Sequence, residues 1–206
     1  MSATPTPSEP VKPRSRAQVW ILIGLFFGPL LAAFILYYGT GGWRPHGSTN
    51  RGDLITPARP LPKLTLPAAT GEALNTQTLQ GKWTLIYIGD GQCDTRCREA
   101  LILTRQTRLA LNQDIDRVRR LFLVTGNCCD REYLHQEHGD LATASLESEP
   151  GLQLLTVFPE GTSAPQQGRI YIVDPLGNLM MSYSPQAPRK ALLEDLKKLL
   201  RLSHIG

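Results

Sequence analysis

The stretch Thr84-Leu85-Ile86-Tyr87-Ile88-Gly89-Asp90-Gly91-Gln92-Cys93-Asp94-Thr95-Arg96-Cys97 decides the fold of this chain. Its first five residues form an apolar run of β type that reads as a buried strand. A glycine turn and two thiols four residues apart follow. Positions i and i+4 share one helix face, so the sulfurs of Cys93 and Cys97 can meet each other or clasp one ion. A helix beginning near Asp94 brings unpaired N–H groups and the positive end of its dipole to the thiols and favours thiolate. Arg96 and Arg98 push the same way. Strand, turn and thiols at this spacing are how a redox or soft-metal site is built at the mouth of an α/β sheet.

Downstream, residues 98–111 are predicted helical. Leu121-Phe122-Leu123-Val124-Thr125 is a second buried strand by composition and length, and Cys128-Cys129 follow it directly. Residues 130–144 are polar and predicted helical, residues 152–158 a strand, and residues 159–167 a loop. Arg169-Ile170-Tyr171-Ile172-Val173-Asp174 is a strand that turns at Asp174-Pro175-Leu176-Gly177-Asn178 and returns over residues 179–183. The last element is an amphipathic helix with Leu192, Leu193, Leu196, Leu199 and Leu200 on one stripe. Upstream, residues 61–66 and a turn at Gly71 suggest a short hairpin. Strand, helix, strand, helix, hairpin and closing helix give a right-handed βαβ unit completed by antiparallel strands. The fold class is therefore α/β, a thioredoxin-like mixed sheet flanked by helices, with both cysteine pairs at carboxyl ends of adjacent strands.

The chain has 206 residues, 41% hydrophobic and 19% charged, which excludes disorder throughout. The formal net charge of +4 is mild, and without a basic, aromatic-interleaved stripe no nucleic acid is expected as a partner. Residues 1–18 are a polar tail carrying Lys12, Arg14 and Arg16. Residues 19–38 carry no charged side chain, and twenty residues span roughly 30 Å, the thickness of a bilayer's hydrocarbon core. Trp20 and Tyr37-Tyr38 suit the aromatic belts, and the basic flank holds the N-terminus in the cytoplasm. A cleaved signal peptide is the alternative, but its apolar core runs about 7–15 residues and Tyr-Tyr-Gly-Thr-Gly-Gly is a poor cleavage site. The expectation is a single-pass protein of the inner (cytoplasmic) membrane: helix 19–38, flexible tether 39–60 punctuated by prolines, and domain 61–206 on the periplasmic side. Disulfides persist there. Arg51-Gly52-Asp53 in the tether matches an adhesion signal by letters only.

Several readings of the cysteines remain open. Cys93 and Cys97 fit a reversible disulfide, a Cu(I) thiolate pair or an inert bridge, since helical i,i+4 Cα atoms lie about 6 Å apart, within disulfide range. A mutual bridge between the adjacent Cys128 and Cys129 would be strained. Either could cross-link to Cys93 or Cys97, both could join a four-thiolate site suited to Zn or Cu(I), or both could be buried hydrophobes. His135 and His138 stand at i,i+3 in His-Gln-Glu-His, a spacing compatible with metal, although solvated histidines are commoner. His46 and His204 do not look like ligands. No P-loop, dinucleotide fingerprint, nucleophile elbow or haem-attachment motif is present.

An N-terminal anchor, a tether, Gly81-Lys82-Trp83, a hydrophobic strand, Cys-x-x-x-Cys and Tyr171-Ile172-Val173-Asp174-Pro175-Leu176-Gly177 together resemble the Sco/SenC proteins. Those are membrane-tethered thioredoxin-fold proteins that help assemble the copper site of cytochrome c oxidase. The resemblance covers residues 61–202. It implies Cys93 and Cys97 as the working pair, Cu(I) as cargo, and a cytochrome c oxidase subunit or another copper-site assembly protein as partner. The family's proline after the second cysteine is Arg98 here. Its copper-binding histidine falls at about Gln166, no histidine lies between His138 and His204, and Asp130 is set against the family's aspartate. Thiol–disulfide exchange is therefore favoured over copper delivery. In the Cu(I) version the third ligand would come from Cys128, Cys129 or His135. If the chain is an enzyme, it is a thiol–disulfide oxidoreductase. The alternative of another class is a non-catalytic, disulfide-stapled scaffold at the membrane.

Overall fold

The structure is a computed structural model that describes residues 16–39, 49–126, 128–203 and 205. The expectations for residues 1–15, for residues 40–48 with His46, and for His204 lie outside the described residues. The chain divides into two units, Met1–Gly47 and Ser48–Gly206.

In the first unit a single helix, α1 (Arg16–Gly39), contains the apolar run. Its mean hydropathy of 2.5 makes it the one described helix long and apolar enough to cross a membrane. None of its side chains is buried within the protein. Leu25, Phe26 and Leu30 all face outward, a surface that water solvates poorly and lipid tails well.

The second unit is built on a six-stranded sheet. In chain order its strands are β1 (Asp53–Pro60), β4 (Trp83–Asp90), β5 (Val118–Thr125), β6 (Leu141–Ser145), β7 (Ile170–Val173) and β8 (Asn178–Tyr183), while β2 (Thr65–Leu66) and β3 (Leu74–Asn75) form a separate small hairpin. The spatial order is β1-β8-β7-β4-β5-β6. β4, β5 and β6 are parallel; β7, β8 and β1 join antiparallel. β4 and β5 pair along their whole lengths, from Trp83 opposite Val118 to Asp90 opposite Thr125. The crossovers are α2 (Thr95–Leu109) and α3 (Arg131–Glu137); α4 (Glu149–Leu155), α5 (Ala164–Gln167) and the closing α6 (Arg189–Leu202) complete the layers.

Central strands buried on both faces read as continuous apolar runs, and successive side chains then enter opposite cores. Leu85, Tyr87, Phe122, Val124, Ile172 and Met181 pack in one cluster with Leu101 of α2 and Leu192, Leu196 and Leu200 of α6. Ile86, Ile88, Leu121, Leu123, Tyr171 and Val173 pack in the other with Leu66, Leu154, Leu155 and Phe158. Burying one such side chain contributes about 1.5–3 kcal/mol, so a core two layers deep holds the central strand ends firmly.

Four expectations are corrected. The tether does not run to residue 60, because Asp53–Pro60 is an edge strand along β8. Its prolines, read as breakers, are tolerated because an edge strand leaves one row of backbone groups unpaired and the register breaks between Leu54 and Arg59. Residues 130–144 are not one helix: α3 stops at Glu137 and β6 begins at Leu141 as the third parallel strand. Residues 152–158 are not a strand, since α4 starts at Glu149, where the Gly151 N–H donates to Ser148 Oγ and Pro150 takes the first turn. The loop 159–167 contains a 3-10 turn (Gly161–Ser163) and α5.

Candidate functional site

Asp90 ends β4, and the chain turns through Gly91 and Gln92 to the first cysteine. The turn is held locally: the Gln92 N–H donates to Asp90 Oδ1 (2.8 Å), the Cys93 N–H to the Asp90 carbonyl (3.1 Å), and the Gly91 N–H to the Thr125 carbonyl of β5 (2.9 Å). Asp94 then caps α2, its Oδ1 accepting the Cys97 N–H at 2.9 Å. Cys93 has φ +48°, a left-handed conformation that costs a non-glycine residue free energy and persists only where the surroundings impose it. Here they do, with a strand end on one side and a capped helix on the other.

Cys93 and Cys97 form a disulfide with Cα atoms 5.0 Å apart. Both are buried, at 4% and 2% exposure, within the cluster of Leu101 and Phe122. Cys97 borders a cleft of about 250 Å³, lined also by Tyr87, Asp90, Asp94, Arg96, Thr125 and Gln166. Gln166 therefore reaches the cleft from α5, at the position counted for the missing histidine. The Tyr87 phenol is pushed up to about 12, first by burial and then by Asp94, with Arg96 opposing, so it stays protonated at neutral pH. At Gly126, φ +69° is a left-handed backbone that favours glycine, and a Cβ there would press on the Asp90 carboxylate at 2.9 Å.

The second pair follows β5, the strand next to β4. Cys128 and Cys129, half-buried, pack against the same cluster. No bridge runs from either of them to Cys93 or Cys97, which form their own disulfide. Asp130 follows and caps α3, accepting the Tyr133 N–H at 3.0 Å. Arg98 spans both loops. Its Nε donates to the Cys93 carbonyl (3.3 Å), its guanidinium lies 4.5 Å from the centre of the Tyr133 ring, and it pairs with Asp130 at 3.7 Å. The sequence marks Arg98 as a departure from the Sco pattern but gives no signal for Tyr133.

The histidines behave differently from each other. His135 is exposed on α3. His138 is buried, not solvated: its Nδ1 faces Arg120 Nη2 at 3.3 Å and its Nε2 faces the Tyr133 hydroxyl at 3.1 Å. Burial first, then Arg120 and Arg105, lower its pKa from 6.5 to about 4, so the ring is neutral. Arg120 is itself fully buried and is satisfied by Thr104, the Leu101 carbonyl and Asp140. Among the described residues no group of three or more His, Cys, Asp or Glu is arranged to hold a metal ion.

A capped helix N-terminus carrying a cysteine pair at the end of a parallel strand defines a thioredoxin-like thiol site. The family model described as the transmembrane-like, thioredoxin-like C-terminal domain matches residues 83–203, more than half of the chain, and the chain belongs to that family. Among solved structures it is similar to the apo Sco1 protein of Thermus thermophilus (19% identity over 75% of this chain and 99% of that one, TM-score 0.60). It is similar also to Bradyrhizobium japonicum ScoI with copper bound (20%, 69% and 99%, TM-score 0.51). A third is BsSco, a member of the Sco family of cytochrome c oxidase assembly proteins in which a disulfide switch was identified (13%, 73% and 99%, TM-score 0.54). At these identities the likeness is one of fold, and it bears out the thioredoxin-like fold read from the sequence. No curated protein sequence matches the chain.

Proposed function

We propose that this protein is a membrane-anchored assembly factor for a respiratory cytochrome oxidase, acting by thiol–disulfide exchange at Cys93 and Cys97. The observation that carries this reading is the Cys93–Cys97 disulfide at the capped N-terminus of α2, with Cys97 on the wall of a cleft. In the reduced state the α2 N-terminus favours thiolate over thiol. One thiolate attacks a partner's disulfide, and the other cysteine resolves the mixed disulfide, releasing the partner as a dithiol. Anchoring by α1 with the domain on the periplasmic side rests on its length, its apolar surface and the basic residues before it. The oxidase partner rests on the Sco likeness, and BsSco supports a disulfide that switches.

Cu(I) handling is the second reading, favoured by the copper-bound state of Bradyrhizobium ScoI. Two sulfurs suit Cu(I), but the position counted for the family's histidine is Gln166, whose side chain on the cleft wall with Cys97 offers only an amide, a hard ligand. The residues present do not complete a soft three-donor set, and no step is derived through the metal. A stapled scaffold is the third reading, favoured by the burial of both sulfurs.

A redox titration of the full chain in detergent separates the readings. A reversible Cys93–Cys97 couple between about −120 and −270 mV is expected for exchange, whereas a potential below about −300 mV marks a structural staple and overturns the proposal. Anaerobic Cu(I) titration of the reduced protein against a chelator tests the metal arm. Weak binding that Gln166→His strengthens identifies the amide as the defect in the donor set.

A further inference from the structure

Beyond the cleft that Cys97 borders, on the other side of Arg96, lies a second depression in the same unit. Its floor is apolar, built from Ala100 and Leu103 of α2, Ile170 of β7 and Leu192 of α6, while Ala187 and the exposed Arg189 stand at its rim. We infer that this groove docks a segment of the exchange partner: an extended peptide with one aliphatic side chain for the floor and a carboxylate beside it. The inference deepens the proposed exchange activity and rests on it.

Three observations carry it. The first is continuity with the thiol site. Arg96 lines both depressions, and its stem lies over Gly168, where an added Cβ would meet Arg96 Cδ at 3.0 Å. The same chain segment supplies Gln166 to the cleft and Gly168 to the groove. With that wall shared, an extended chain at about 3.3 Å per residue passes from one to the other within a few residues. The second is size. The groove encloses about 80 Å³, room for a single aliphatic side chain and too little for an acyl chain. One apolar anchor seated in a small pocket is how extended peptides gain specificity.

The third is charge. Arg96 and Arg189 line the groove against Glu99, which leaves it net positive. α6 also opens on Arg189 and Lys190, with no acid in its first turn and no side chain capping it. Cations at the positive end of a helix dipole work against the helix. A carboxylate brought by a partner answers both the helix end and the Arg189 guanidinium.

The test uses the full chain in detergent and a fluorescein-labelled, cysteine-free peptide, Gly-Ser-Gly-Leu-Asp-Gly-Ser, read by anisotropy. Versions with Leu-Lys and Ser-Asp at the centre are measured beside it. The Leu-Asp peptide is expected to bind about fivefold or more tightly than either. Ala187→Trp fills the groove and should weaken that binding about tenfold. Arg189→Glu should reverse the preference between Leu-Asp and Leu-Lys. It places an acid where the helix dipole favours one, so its thermal midpoint should not fall, and lost docking is separated from lost fold. Equal binding of the three peptides, or a preference that neither substitution changes, overturns the groove and leaves exchange at Cys93 and Cys97 standing. Tighter binding of dihexanoyl-phosphatidylglycerol, lost in Ala187→Trp, assigns the groove to lipid and overturns the peptide. A disulfide-bearing form of each peptide then joins groove to chemistry: the KM for its reduction by the reduced protein should follow the same order while kcat stays level. A KM indifferent to the central residues overturns the partner assignment. No reduction of any peptide removes the exchange reading, and the inference with it.

Discussion

The two cysteine loops occupy equivalent places, at the carboxyl ends of neighbouring parallel strands, yet they are built differently. The first has a regular frame: a strand end, an Asp90 turn, an Asp94 cap and a helix of 15 residues. The second runs from Gly126 to a helix of seven residues whose far end is tied to a buried arginine through His138. The difference teaches that strand topology delivers residues to a site, while capping and burial decide which of them are held for chemistry.

The largest expected effect separates the loops outright. Cys93→Ala or Cys97→Ala should abolish disulfide exchange with an oxidised partner peptide, whereas Cys128→Ala/Cys129→Ala should leave chemical reduction of Cys93–Cys97 by a small phosphine intact. Equal losses in both proteins would erase the distinction.

Next in size is the support under the second loop. Arg120→Ala leaves Asp140 with Arg108 as its remaining ion-pair partner and strips a donor from the Leu101 carbonyl. Leaving a buried carbonyl short of a donor costs about 1–3 kcal/mol, which a urea melt reads directly. A loss below about 1 kcal/mol would mean that the α3 end is held by something else.

The third effect follows from His138. Its folded pKa, about 4, lies below the ordinary 6.5. Between those values the unfolded chain binds a proton that the folded chain refuses. Stability is therefore full above about pH 6.5 and falls as pH drops toward about 4, by at most about 1.4 kcal/mol per pH unit. Chemical denaturation at a series of pH values should show this slope, and His138→Gln should flatten it. The smallest effect is Asp94→Ala, which removes the α2 cap at a cost of about 1 kcal/mol; it should also slow exchange, whereas Asp130→Ala should affect stability alone.

What the sequence made legible follows the same contrast. β4, β5, β7 and α6 announce themselves because double-sided burial demands unbroken apolar runs and a one-sided helix demands a stripe. The thiols of the first loop are legible for a related reason, since strand, turn and i,i+4 spacing are all local. β6 is hidden because only five residues, Leu141–Ser145, are needed at a sheet margin. α4 is hidden because its signal is a cap, Ser148 with Pro150, rather than a periodicity. Long-range placements stay silent in one dimension: Gln166 in the cleft wall, Tyr133 under Arg98, and His138 withdrawn from solvent against Arg120.

The edge strand β1 has a practical corollary. A fragment cut at residue 61 would remove β1 and leave the backbone of β8 bare along the sheet margin, inviting strand addition from a second copy and precipitation. Pro57 and Pro60 resist that outcome in the intact chain, because proline offers no N–H to an incoming strand. The short segment before the domain is thus a guard against self-association, and any soluble version of this protein should begin no later than Ser48.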